Sequence, residues 1–298
     1  MITPNEQYTR LAKAIGYDDL YFKREDLHPL GSHKGRSIPV MIDYYYEKGA
    51  RDFAISSSGN AALAATLYIK DKPDTKLEIF VGNNIAPHKL TKLNKVVEEI
   101  AKNETEKTSR IKITKTERPL QALMQAMKNG AGKEIISLRQ STDLIALAGY
   151  ESLAREISAI NKVAAVFLGT SSGTTAEALA QYFLKEKKKI QIHIVQTPSC
   201  HPLTEPFHSC RSDEPSISDA IVDKTALRKP TLIKLVKQTG GSGWCATNED
   251  ILVAQKLTKT YTGLDISVNS ALSVAGALQA AREKYEIKGT VVCLISGE

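Results

Sequence analysis

Aromatic residues are scarce in this chain, since Phe, Tyr and Trp together make up 6% of its 298 residues. Proteins that bind single-stranded nucleic acid stack the bases on aromatic side chains set among basic ones. The chain is basic, with 40 Lys and Arg against 33 Asp and Glu, but its lysines are spread out. The main basic run, residues 185–189, is typical of a solvated helix end. The net charge of +7 therefore does not indicate a nucleic-acid partner.

Cysteine is also scarce, and none of the four cysteines stands in a CxxC spacing. No signal peptide opens the chain, so we expect a cytoplasmic protein with free thiols. No apolar run approaches the roughly 18 residues that a membrane-spanning helix needs, so no membrane partner is expected. Cys200, His201, His208 and Cys210 could be drawn as a zinc cluster. Because they lack a recognised ligand spacing, no metal site is predicted.

Short apolar runs alternate with segments of helical spacing along most of the chain. Strands are predicted at 164–168 and 290–295, among others, and helices over 87–101, 119–128 and 143–160. This alternation predicts an α/β fold with mostly parallel sheets. Ligands of such sheets bind beyond the carboxyl ends of the strands, so the loops at those ends are the candidate sites.

The stretch 20–36 places one lysine at such an end. An apolar run ends in charged residues, Pro29 and Gly31 break it, and Ser32 can cap the helical segment that follows. Lys34 therefore falls in the first turn of a helix, where the helix dipole already supplies positive charge. A lysine in that position is more easily held neutral, which suits Schiff-base chemistry. A solvated lysine that happens to follow a cap is the alternative interpretation.

Two further loops carry small and hydroxyl side chains between a strand and a helix. Residues 56–60, with Gly59, leave backbone N–H groups exposed near a helix N-terminus, which suits a carboxylate or an ordinary N-cap. Residues 169–175 combine two glycines with several hydroxyls at a helix N-terminus and suit a phosphate dianion. A mononucleotide, or no ligand, explains this second loop equally well. It lacks the lysine of a P-loop and the spacing of a dinucleotide fingerprint.

The segment from Gly31 to Arg36, after Lys-Arg-Glu-Asp at 23–26, resembles the lysine motif of fold-type II pyridoxal-phosphate enzymes. These include threonine synthase, the serine and threonine dehydratases, cysteine synthase and the tryptophan synthase β chain. The resemblance implies two three-layer αβα domains around mostly parallel sheets. Residues 27–138 would form a smaller mobile domain that carries Lys34 and the Ser-Gly-Asn loop. Residues 1–26 with 139–298 would form the larger, cofactor-phosphate domain, and the protein would be a homodimer.

The same resemblance implies the roles of the site residues. Lys34 would bind pyridoxal 5'-phosphate as a Schiff base and later act as the catalytic base. Asn60 would contact the cofactor ring. The substrate carboxylate would be bound by Ser57, Ser58, Gly59 and Asn60. The cofactor phosphate would be bound by Gly169, Thr170, Ser171, Ser172, Gly173 and Thr174.

Ser296, at the end of the last predicted strand, matches the position that faces the pyridine nitrogen in the family. A hydroxyl there cannot protonate that nitrogen as a carboxylate would, so the ring is a weaker electron sink. The family pairs such a ring with β- and γ-elimination or replacement rather than transamination. A hydroxyl in a frayed terminus is the alternative interpretation of Ser296.

Stretches such as 149–151, 240–241 and 270–278 resemble the threonine synthase branch. The expected activity is therefore that of a threonine synthase-like lyase of amino-acid metabolism, acting on an activated hydroxy-amino acid substrate. A serine/threonine dehydratase or a cysteine synthase-type enzyme is the first alternative. Gly35, Ser267 and Val268 depart from the family pattern, and they motivate a second alternative, a catalytically inactive relative that binds pyridoxal phosphate or an amino acid. A nucleotide binder without pyridoxal chemistry is the third.

Overall fold

The computed structural model describes residues 2–57, 59–102, 110–128, 134–210 and 214–297. The strands are β1 (Asn5–Gln7), β2 (Leu20–Arg24), β3 (Asp52–Ser56), β4 (Lys76–Gly82), β5 (Ile111–Thr116), β6 (Ile135–Ser137), β7 (Val163–Gly169), β8 (Gln191–Gln196), β9 (Gly243–Cys245) and β10 (Thr290–Ile295). The α-helices are α1 (Thr9–Ile15), α2 (Ile38–Glu47), α3 (Asn60–Ile69), α4 (Pro87–Ala101), α5 (Pro119–Lys128), α6 (Ile145–Ala148), α7 (Glu151–Ser158), α8 (Thr174–Lys185), α9 (Lys229–Gln238), α10 (Asn248–Thr262) and α11 (Val268–Arg282). Short 3-10 helices lie at Glu25–Leu27 and His33–Arg36.

The chain divides into two compact units. The large unit contains Met1–His28 and Tyr150–Glu298, and the small unit contains Pro29–Gly149. The domain boundaries implied by the family resemblance, 27–138 for the smaller domain, stay a prediction. Within the described residues, no helix has the length and apolar character that a membrane span requires.

The large unit is built on a six-stranded sheet in the order β1-β2-β10-β7-β8-β9. Only β1 runs antiparallel to its neighbour; the remaining pairs are parallel. Both faces of this sheet are buried. Ala165 and Phe167 of β7 pack in a cluster with α1, α10 and α11, while Val166 and Leu168, which point to the opposite face, are also excluded from solvent. The arrangement is a three-layer αβα sandwich, as predicted.

The small unit has a four-stranded, wholly parallel sheet in the order β5-β4-β3-β6. Phe53 and Ile55 of β3 pack in a cluster with α2, α3 and α4 on one face. Ala54, on the opposite face, packs with Phe80 and with Leu123 of α5. Helices therefore cover both faces here as well, and the predicted α/β class with mostly parallel sheets is confirmed for both units.

Predicted elements agree with the structure where a periodic pattern is long. The helices over 87–101 and 119–128 and the strand over 290–295 have the predicted bounds. The single helix predicted over 143–160 is wrong, because the chain forms α6 and α7 with a break at Gly149. A Cβ atom at Gly149 would lie 2.4 Å from the Cα of Ser37 and 2.5 Å from the carbonyl oxygen of Arg36. This close approach of two backbone segments requires glycine.

The expectation of free thiols is wrong for two of the four cysteines. Cys210 and Cys245 form a disulfide whose Cα atoms lie 5.7 Å apart, although 35 positions separate them in sequence. Cys200 and Cys293 are free and buried, and burial raises the pKa of both thiols, which makes them poor nucleophiles.

Within the described residues, no group of three or more His, Cys, Asp or Glu side chains is placed to hold a metal ion.

A neutral histidine lies in the core of the large unit. His193 of β8 is fully buried and stacks on Phe167 with ring centroids 4.3 Å apart. Its Nδ1 accepts a hydrogen bond from Trp244 Nε1 at 3.1 Å, so Nε2 carries the proton and donates to Gln191 Oε1 at 3.0 Å. Burial lowers the pKa of His193 to about 3. The ring is therefore neutral at physiological pH.

We predict that Gly149→Ala destabilises the small unit by about 1–3 kcal/mol, because the new methyl group would overlap the backbone at Arg36 and Ser37. Urea unfolding measures this loss. Gly82→Ala is the matched control, since a Cβ at Gly82 meets nothing within 4 Å and should cost less than about 0.5 kcal/mol. Equal stability of the two variants would contradict the prediction.

We also predict that acid destabilises the large unit through His193. The unfolded ring takes up a proton below its ordinary pKa of 6.5 while the folded ring resists protonation down to about 3, so stability falls across that range. Between pH 6.5 and 4.5 this group alone should account for about 2–3 kcal/mol of the loss. Urea unfolding at several pH values should show a shallower acid dependence for His193→Gln. An unchanged dependence would refute the assignment.

Candidate functional site

Lys34 lies in the short 3-10 helix His33–Arg36, just before α2, rather than in the first turn of a long helix. The predicted cap is confirmed, because Ser32 Oγ accepts a hydrogen bond from the Lys34 amide at 3.2 Å. Lys34 is half-buried, and desolvation lowers the pKa of its amine to about 8, with no contribution from a neighbouring charge. A substantial fraction of this amine is therefore neutral near pH 8.

The lysine turn packs against α3, the helix that begins at the Ser-Gly-Asn loop. Gly31 has a φ of +84°, a conformation that favours glycine, and a Cβ there would lie 2.9 Å from Leu63 Cδ2, so a larger residue would strain the turn where it meets the helix. The turn that carries Lys34 thus lies against the helix that follows the predicted carboxylate loop.

The carboxylate loop lies between β3 and α3, as predicted. Asn60 is the first residue of α3, and Gly59 is its N-cap. The Gly59 amide donates to Ser57 Oγ at 3.3 Å, and a Cβ at Gly59 would meet nothing within 4 Å. Open space therefore lies in front of this turn, at the positive end of a helix dipole. Ser58, predicted to have the same role, lies outside the described residues.

The predicted phosphate loop follows β7 in the large unit. Gly173, with a φ of +87°, is the N-cap of the 12-residue helix α8, and its amide donates to Thr170 Oγ1 at 3.1 Å. The hydroxyls of Ser172 and Thr174 lie 3.0 Å apart. Gly169, which precedes them, ends β7. The structure thus gathers the predicted glycines and hydroxyls into one turn at a helix N-terminus, which is a suitable environment for a phosphate dianion.

One hydroxyl of this loop has a structural partner as well. Ser171 Oγ accepts hydrogen bonds from the amides of Val222 and Asp223, at 3.0 and 2.9 Å. Its proton is still available for donation to an anion, because a hydroxyl can donate once while it accepts twice. Ser171 therefore also ties the 222–223 segment to the loop.

Ser296 follows β10, which lies between β2 and β7 in the large sheet. It is nearly buried, with 9% of its surface exposed. The next residue is anchored, since the Gly297 carbonyl accepts from Ser267 Oγ at 2.6 Å and from Ser270 Oγ at 3.0 Å, and the Gly297 amide donates to Ser270 Oγ at 3.2 Å. These three bonds show that the terminus is not frayed at this point.

Sequence reasoning missed the contacts that Ser267 makes in this anchor. Ser267 departs from the family pattern, yet it caps α11 by accepting from the Ser270 amide at 3.1 Å and also holds Gly297. A serine before an apolar helix is a recognisable capping signal, but its second bond joins positions 30 residues apart. Gln196, at the end of β8, is a second residue that was not predicted as part of the site; its side chain bonds the backbone of residues 170–171 and 203–204.

Comparisons with known proteins identify the family and the fold. Residues 2–297 match the family described as "Pyridoxal-phosphate dependent enzyme", so the chain belongs to this family and its cofactor is pyridoxal phosphate. The threonine synthase of Methanocaldococcus jannaschii is 22% identical over 99% of this chain and 74% of its own length. A pyridoxal 5'-phosphate-dependent aspartate racemase has the same fold, with a TM-score of 0.80 at 18% identity over 100% of this chain and 90% of its own. The processed form of threonine deaminase isoform 2 from Solanum lycopersicum matches with a TM-score of 0.77 at 18% identity, over 99% of this chain and 83% of its own.

Residues of this chain suit three separate groups of this cofactor, namely its aldehyde, its phosphate and its ring nitrogen. In the small unit, the Lys34 amine, with its pKa near 8, suits a bond to an aldehyde carbon. In the large unit, the loop before α8 offers hydroxyls and a helix N-terminus to a phosphate group. Ser296 offers a hydroxyl that can hydrogen-bond a ring nitrogen. The chemistry of each donor set therefore agrees with the family.

We predict that the rate of covalent attachment of pyridoxal phosphate to this protein rises with pH through about 8, because we expect the neutral Lys34 amine to be the reacting form. Below that value, each pH unit should slow attachment about tenfold. The measurement is the visible absorbance band that borohydride fixes onto the protein, followed by mass spectrometry of the labelled peptide.

Lys34→Ala should form no such band, while Lys70→Ala, which removes an exposed lysine at the end of α3, should behave like the wild type. A label on another lysine, or a midpoint near the ordinary lysine value of 10.5, would contradict the prediction.

Proposed function

We propose that this protein catalyses a β- or γ-elimination or replacement on an amino acid, as a threonine synthase-like lyase. The observation that supports this reaction type best is the hydroxyl of Ser296, nearly buried at the end of β10 beside the anchored Gly297. Opposite a pyridine nitrogen, a hydroxyl supports elimination and replacement, whereas a carboxylate supports transamination. Similarity to threonine synthases over 99% of the chain favours that branch.

Lys34 has two successive roles in this proposal. Bound pyridoxal phosphate supplies an electron sink for the carbanion at the substrate Cα. The Lys34 amine holds the cofactor before the substrate arrives and then, once free, takes the proton from Cα. Its pKa of about 8 suits a general base, since a lysine at its ordinary value would be protonated at neutral pH.

The loop at the start of α3 is the proposed carboxylate site. Gly59 and Asn60 stand at the N-terminus of α3, and the 3.3 Å bond from the Gly59 amide to Ser57 is long enough to be exchanged for a bond to an anion. Ser58 belongs to the same proposal. Binding here would orient the substrate, and Asn60 would also contact the cofactor ring.

Residues 169–174 are the proposed phosphate site. The glycines allow the turn, and the hydroxyls of Thr170, Ser171, Ser172 and Thr174 together with the amides at the N-terminus of α8 provide the donors. A homodimer and a cytoplasmic location belong to this proposal as well.

The alternatives differ in their products, so a single pair of assays separates them. We expect an O-phosphorylated hydroxy-amino acid to release inorganic phosphate, and serine or threonine to give little 2-oxo acid. Release of 2-oxo acid as the main activity would instead assign a serine/threonine dehydratase. Thiol-dependent replacement would indicate a cysteine synthase-type enzyme. Binding of cofactor and amino acids without turnover would indicate the inactive relative that Gly35, Ser267 and Val268 suggest.

Lys34→Ala is the control for each assay, and turnover of this variant at the wild-type rate would exclude the proposed mechanism. Loss of phosphate release in Lys34→Ala but not in Lys70→Ala is the expected result.

A further inference from the structure

Gln196 is a fully buried polar residue at the carboxyl end of β8, within the large unit. Its side-chain Nε2 donates to the carbonyl oxygens of Thr170 and Ser171, at 3.1 and 3.3 Å. Its Oε1 accepts from the amides of Leu203 and Thr204, at 2.7 and 3.2 Å. Carbonyls can only accept and amides can only donate, so one orientation of the Gln196 amide satisfies all four partners.

This arrangement determines which way the loop amides point. In a trans peptide the C=O and N–H groups are antiparallel, and the described residues contain no cis peptide bond. The carbonyls of Thr170 and Ser171 are directed at Gln196, so the N–H groups of Ser171 and Ser172 are directed away from it. Neither N–H has a hydrogen-bond acceptor among the described residues. Adjacent N–H groups held in this way form an anion-binding nest.

We propose that Gln196 is the positioning residue of the phosphate loop and that it presents the Ser171 and Ser172 amides to the phosphate of pyridoxal phosphate. The inference rests on the proposed role of residues 169–174. Gln196 does not touch the ligand; it acts by fixing two peptide planes before the ligand binds. Without it, the two carbonyls lose their donor, the peptides can rotate, and the nest must be ordered at the time of binding.

The test compares pyridoxal phosphate with pyridoxal, which lacks the phosphate. Dissociation constants of both are measured by absorbance for the wild type and for Gln196→Met, which keeps the side-chain length but has no N–H donor. Binding of pyridoxal phosphate should weaken about 10- to 100-fold in this variant, the effect of losing one or two hydrogen bonds to a charged group, while binding of pyridoxal stays within about twofold. Gln196→Glu should lower the preference for pyridoxal phosphate over pyridoxal at least as much, because a carboxylate offers no donor to the carbonyls.

Gln279→Met is the matched control. Gln279 also holds backbone in the large unit, donating to the Cys245 carbonyl at 2.8 Å and to Asp250 Oδ2 at 3.1 Å, but it does not contact the phosphate loop. This variant should be destabilised without a change in the preference for pyridoxal phosphate. An equal loss for both ligands in Gln196→Met, or no loss for either, would overturn the inference. A wild type that binds both ligands equally would instead refute the phosphate role of the loop.

A measurement on the wild type covers the case in which Gln196→Met does not fold. In protein labelled with 15N-serine, the amide signals of Ser171 and Ser172 should move downfield with pyridoxal phosphate and much less with pyridoxal. Signals that respond equally to both ligands would show that these amides do not bind the phosphate and would overturn the inference.

Discussion

Desolvation of a lysine amine without a compensating carboxylate is the constraint on which the candidate chemistry depends. Lys23, the fully buried lysine of the large unit, is paired with Glu156 at 2.5 Å. Lys34 has no such partner among the described residues, and its amine loses its proton more readily as a result. Burying such an amine costs free energy, which its lowered pKa reduces. The turn that carries it is held by the Ser32 cap and by the close approach of Gly149 to the backbone of Arg36 and Ser37.

In the large unit, polar groups are buried at the ends of buried strands. The last residue of β8 and the residues that follow β7 and β10 are Gln196, Thr170 and Ser296, and each is at least nine-tenths buried. Parallel strands bring such residues to one edge of a sheet. Four hydrogen bonds give the Gln196 amide one orientation, which lowers the entropic cost of binding an anion at the loop that it contacts.

The sequence was most informative where local chemistry decides the structure. Alternating apolar runs predicted the α/β class, and Ser32 was correctly identified as a cap. Contacts between distant positions could not be predicted from the sequence. The break at Gly149 exists because another backbone segment passes there, and the Cys210–Cys245 disulfide joins a loop to β9. The three-residue strand β9 is too short for a periodic signal. The family resemblance named the site residues, whereas only the hydrogen-bond geometry drew attention to Gln196.

The position of β10 has a consequence for biosynthesis. This strand is formed by Thr290–Ile295, yet it lies inside the large sheet, between β2 and β7. During translation, the small unit is a continuous segment, Pro29–Gly149, and can fold as soon as it leaves the ribosome. The large sheet cannot be completed until residues 290–295 emerge, and until then the edges of β2 and β7 that pair with β10 have no partner. Apolar strand edges left open in this way invite aggregation, so the nascent chain is expected to depend on chaperones until this strand has been synthesised.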